Sequence, residues 1–60
     1  MNEEHFYKLI EHYRKALKIK PNNLFVYHQL DELYYKRGEL EKTLEVGQQA
    51  LQIQFLSKMQ

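Results

Sequence analysis

"ALKIKPNN" occupies residues 16–23 and "ALQIQFLS" residues 50–57: the Ala-Leu-x-Ile phrase returns after 34 residues, followed once by Pro21 and once by Phe55. A phrase that recurs at such a spacing marks a stacked supersecondary unit, so the elements around its two copies decide the fold. Upstream of the first copy, Phe6, Leu9, Ile10, Tyr13, Ala16, Leu17 and Ile19 fall mostly at the i, i+3, i+4, i+7 spacing of one helical face. Asn2 is a good N-cap for that helix. Glu3 and Glu4 suit the positive end of its dipole, and Lys15, Lys18 and Lys20 suit the negative end. Pro21 closes it, because the residue before a proline is pushed out of the α region.

Either Asn22 or Asn23 can cap a second helix that carries Tyr27, Leu30, Leu33 and Tyr34. This helix ends before Gly38, a residue suited to a left-handed C-terminal position. A third helix begins near Glu39 and carries Leu40, Leu44, Leu51 and Ile53, with acidic residues in its first turn. With Phe55 where Pro21 stood, nothing stops this helix, and it is expected to run through Leu56 toward Met59. Turns this short join antiparallel neighbours, so the chain reads as all-α, with three antiparallel helices in one domain over residues 1–60.

Composition narrows the function. A 60-residue chain buries only about 60% of its unfolded surface, which makes a lone core marginal. There is no cysteine, so neither disulfides nor thiolate zinc sites staple it. The net charge of +1, with both signs interspersed, argues against a polyanion-binding tail, and no apolar run approaches the roughly 20 residues of a membrane span. The acidic start "MNEEHFYK" has no apolar signal core, which makes the cytoplasm the expected location.

Chemistry-bearing motifs are missing from the sequence. His5 and His12 are seven residues apart, about 10 Å along a helix, too far to chelate one metal together. No Gly-rich phosphate loop, activated nucleophile or H-E-x-x-H occurs, so the reading is not an enzyme and no cofactor or metal is implied. A three-helix nucleic-acid reader of homeodomain size is the rival class. Its recognition helix should be basic on the exposed face, whereas the third helix here opens with Glu39, Glu41 and Glu45 against Lys42. Neither nucleic acid nor membrane is therefore expected as a partner.

Sliding the chain against itself by 34 residues pairs Lys8 with Lys42, Glu11 with Glu45, Ala16 with Ala50, Leu17 with Leu51 and Ile19 with Ile53. Residues 24–57 resemble one tetratricopeptide repeat (TPR), a family with this repeat length. Tyr27, Leu30 and Tyr34 stand in its W-x2-L-G-x2-Y pattern, Gly38 at the hairpin turn, and Ala50 and Leu51 at its Ala-Leu. Residues 2–20 resemble the second helix of a preceding repeat, with Leu9, Tyr13, Ala16 and Pro21 at the expected spacing, and residues 55–60 are a candidate extension of the last helix. The resemblance implies helix-turn-helix stacking into an α-α superhelix.

Four positions depart from the pattern: Asp31 in the glycine slot, Thr43 in an alanine slot, Gly47 in a bulky aromatic slot and Phe55 in the proline slot. A carboxylate at a helix crossing is costly unless hydrogen-bonded; Thr43 or water at a slightly opened crossing is the expected partner of Asp31, and a helix pairing that differs from an ordinary repeat is the alternative. Gly47 is expected to weaken the second hairpin. By resemblance, the groove that holds a protein or peptide is lined by Phe25, His28, Gln29, Glu32, Tyr35 and Lys36. These are not the residues with which some chaperone adaptors of the family clamp a C-terminal carboxylate. One and a half repeats also leave both ends of the stack open. The expected consequence is a homo-oligomer, with Gly38, Ile53, Phe55, Leu56 and Met59 as the self-association set and Gly38 as the cheaper hinge should helices exchange. A repeat segment of a larger enzyme is the other reading compatible with such a chain.

Overall fold

In the computed structural model, which describes residues 2–59, the chain forms three helices: α1 (Glu3–Ile19), α2 (Leu24–Lys36) and α3 (Leu40–Lys58). Each boundary has a local cause. The Asn2 side chain accepts a hydrogen bond from the His5 amide at 2.8 Å, which satisfies an otherwise unpaired amide in the first turn. Asn23, rather than Asn22, caps α2 by accepting from the Val26 amide at 3.4 Å. Between them the Lys20 amide donates to the Ala16 carbonyl, and the Asn23 amide donates to the Lys20 carbonyl across the Pro21 turn.

The α2–α3 turn is a left-handed helix termination. Gly38 has φ +77°, its amide donates to the Tyr35 carbonyl and the Glu39 amide to the Tyr34 carbonyl, so two orphan carbonyls of α2 are satisfied. α3 has no side-chain cap at Glu39. It continues past Phe55 without interruption to Lys58, as the missing proline predicts.

α2 lies in the middle, packing on α1 and more extensively on α3. The slab that results measures 41 × 24 × 13 Å, and its core joins Phe6 and Ile10 of α1, Val26, Leu30, Leu33 and Tyr34 of α2, and Val46 of α3. Phe6 is the most completely buried, at 1% exposure, with its ring edge-to-face against Tyr34 at 5.9 Å and capped by the Arg37 guanidinium 4.3 Å from its centroid. Tyr34 in turn accepts a hydrogen bond from Arg14 at 3.1 Å, which ties α1 to α2 a second time.

Two sequence expectations need correction. Ile19, at the end of the apolar face of α1, is 87% exposed, because that face leaves the core one turn before the helix ends. In α3 the leucines that mark the helix are not its core: Leu40, Leu44 and Leu51 are exposed, and the buried residues are Val46 and Ala50, flanked by half-buried Thr43, Gly47 and Ile53. The bulk at the α2–α3 contact comes from α2, so α3 turns its small residues inward and its leucines out.

Candidate interaction surfaces

The six groove positions form two rows on α2. Phe25, Gln29, Glu32 and Lys36 recur at the spacing of one helical face; Phe25 is 68% exposed, and an ion pair of 3.0 Å joins Glu32 to Lys36. His28 and Tyr35, one heptad apart, form an adjoining line on the same half of the helix and are both exposed. His28 reaches a groove of about 390 Å³ between α2 and α3, whose walls include Leu44, Ala50 and Leu51 and whose polar members are His28, Asp31, Thr43, Gln48 and Gln54. Apart from Asp31, the side chains lining it are uncharged or histidine.

The self-association set does not share one face. Gly38 serves the turn. Ile53 is half-buried on the inner side of α3, and Leu56 points about 100° away from Phe55, whereas Met59, the C-cap residue four positions after Phe55, lies near the line of Phe55. Phe55 belongs instead with Leu40, Leu44 and Leu51. Within about 60° of helical arc these four make one apolar stripe, each 61–66% exposed. The sequence reading took the three leucines as helix-forming apolar residues and so missed this stripe; the signal available was the line Leu40, Leu44, Leu51, Phe55 itself, distinct from the line Val46, Ala50, Ile53.

Asp31 stands at the floor of the α2–α3 groove. Its Oδ1 is buried and has no hydrogen-bond partner, because the Thr43 hydroxyl donates to the Glu39 carbonyl at 2.9 Å instead. The expected Asp31–Thr43 bond is therefore not made. Across the crossing, a Cβ added to Gly47 would meet only this same oxygen, at 3.8 Å. The two departures from the repeat pattern thus answer each other: the larger side chain sits on α2 and the missing one on α3, with an unpaired carboxylate oxygen beside the gap.

The α1 end of the stack is different in character. Its outward residues include Glu4, Lys8, Glu11 and Lys15, joined in i,i+4 ion pairs of 3.4 Å and 3.2 Å. Six of the ten large apolar side chains that stand exposed among the described residues belong to α3 and its C-cap, against two on α1. Apolar exposure is thus concentrated at one end of the stack. Among the described residues no helix is long and apolar enough to cross a membrane.

Comparison with known proteins agrees with this architecture. The chain is 50% identical over 34 residues, one repeat length, to a TPR repeat-containing protein of Methanocaldococcus jannaschii; the aligned part covers 57% of this chain and 6% of that relative. The chain therefore spans a small fraction of the curated relative it matches. No family model matches, and no solved structure matches. The relative, the three helices and the absence of strands among the described residues identify the chain as TPR-like.

Proposed function

We propose that this TPR-like stack is a protein-interaction module that contributes no chemistry of its own and that self-associates through the apolar α3 end. The observation that carries the reading is the exposed stripe Leu40, Leu44, Leu51 and Phe55, beside a groove with an unpaired carboxylate oxygen. Contiguous exposed apolar surface rimmed by polar residues is the physical mark of a protein contact, since leaving it in water forgoes about 25 cal/mol per Å². The M. jannaschii relative supports the class, because it is named as a TPR repeat-containing protein.

Two surfaces serve two partners in this reading. The α2 row of Phe25, Gln29, Glu32 and Lys36, with His28 and Tyr35, takes a protein or peptide segment. The α3 end takes a second copy. Packed contacts between copies offset the marginal core of a 60-residue chain and suit a scaffold role. Exchange of helices about Gly38 is the other route to self-assembly, and it requires that glycine to give up its left-handed turn.

Light scattering over a hundredfold concentration range, with helicity recorded alongside, tests the reading. A folded species at twice the chain mass or more is expected. A fully helical monomer at every concentration contradicts the self-association, and a poorly helical monomer contradicts an independently folding stack.

A further inference from the structure

We propose that two copies of this chain close back to back, with their α3 helices antiparallel about a two-fold axis at the level of Gly47 and Gln48. The proposal deepens the self-association reading above by naming the face and the register.

The stripe is symmetric along the chain: from Leu40 the steps are four, seven and four residues, to Leu44, Leu51 and Phe55. In an isologous antiparallel pair, where the same patch is used by both copies, one register engages all four residues at once. Leu40 then opposes Phe55 of the second copy, and Leu44 opposes Leu51. The midpoint of this register falls between residues 47 and 48. The one glycine inside a helix of this chain stands there, where two helices packed back to back come closest. A residue without a Cβ at that point lets the backbones approach.

Level with the axis, Gly47 of each copy faces Gly47 of the other on the flank toward α2, and Gln48 faces Gln48 on the opposite flank. A mid-helix glycine and a symmetric stripe are accounted for together.

Charge decides between the two directions of pairing. A parallel pair brings Lys58 to Lys58 and Glu39 to Glu39. The antiparallel register removes the Lys58–Lys58 contact, bringing Lys58 instead to the Arg37–Glu39 ion pair of the other copy, and opposes the helix dipoles. The assembly stops at two, because the two-fold covers the stripe of both copies, and the far end of the stack carries the ion-paired face of α1, where among the described residues Tyr7 and Ile19 are the large apolar side chains left exposed. Four side chains about two-thirds exposed supply on the order of 500 Å² per copy, against about 800 Å² in a standard stable complex. With Gln48 and Gln54 at its edge the contact is that of a dimer that dissociates on dilution.

The full chain has no cysteine, so single cysteines report the register directly. Gln48→Cys is expected to cross-link to itself on mild oxidation, since it lies beside the axis. Leu44→Cys and Leu51→Cys are expected to cross-link with each other when mixed, and neither with itself. Self-linking of Leu44→Cys overturns the antiparallel register. A doubled solution mass with no cross-link at any of the three positions overturns this face while self-association stands, and a monomer at every concentration overturns both.

Discussion

Replacing Gly47 by alanine should strengthen the fold of one copy and weaken its pairing with another. Glycine inside a helix costs about 1 kcal/mol relative to alanine, mostly through the conformational freedom that folding removes. Nothing at this position offsets the gain. The added Cβ meets only Asp31 Oδ1 at 3.8 Å, an ordinary contact that moves no neighbour. In a domain of this size 1 kcal/mol raises Tm by about 4–8 °C. Pairing responds in the opposite direction, because two methyl groups, one from each copy, enter the closest approach of the α3 helices; overpacking of that kind costs about 1–3 kcal/mol, a tenfold loss of affinity or more. Thermal unfolding followed by far-ultraviolet circular dichroism, at a concentration low enough to keep the chain monomeric, isolates the first effect, and light scattering measures the second. A Tm that falls on substitution refutes the open space beside Gly47. A raised Tm with unchanged self-affinity refutes the close approach of two copies.

Other substitutions address the fold itself. Phe6→Ala removes the most buried side chain and should cost about 3–5 kcal/mol, enough in so small a domain to lose most of the helicity at ambient temperature; near-native helicity would contradict its place at the centre of the core. Gly38→Ala puts a side chain at φ +77° and should destabilise by about 1–2 kcal/mol, read as a lower denaturation midpoint with unchanged m-value. Arg37→Ala should cost about 1 kcal/mol, and because the guanidinium covers the Phe6 ring, Arg37→Lys should restore only part of the loss. Molar salt should lower Tm little, since the i,i+4 ion pairs are exposed; a large drop would mean that charge holds the helices together.

The helix ends were legible in the sequence because their causes are local. Asn2, Asn23, Pro21 and Gly38 act on the backbone within three or four residues, and each stops or starts a helix where its chemistry predicts. The continuation of α3 past Phe55 follows from the same logic, since nothing there removes an amide donor. The inward face of α3 was not legible, because it depends on what α2 presents. Leu40, Leu44 and Leu51 have the spacing and hydrophobicity of a core face, yet it is the smaller Val46 that joins the core of Leu30 and Tyr34, with Ala50 also buried. The roles of Arg14 and Arg37 depend on the same long-range placement, Arg14 reaching the Tyr34 hydroxyl and Arg37 the Phe6 ring on the neighbouring helix. Asp31 and Gly47 were each visible as departures from the repeat pattern, but their opposition across one crossing appears only when α2 and α3 are folded together.

Whether the exposed stripe of α3 is covered in solution is read by light scattering of the wild-type chain beside a Leu44→Gln, Leu51→Gln variant, both at equal helicity. A concentration-dependent rise toward twice the chain mass is expected for the wild type and a monomer for the variant. A doubled mass in both would contradict coverage of the stripe, because the copies would then meet through another face.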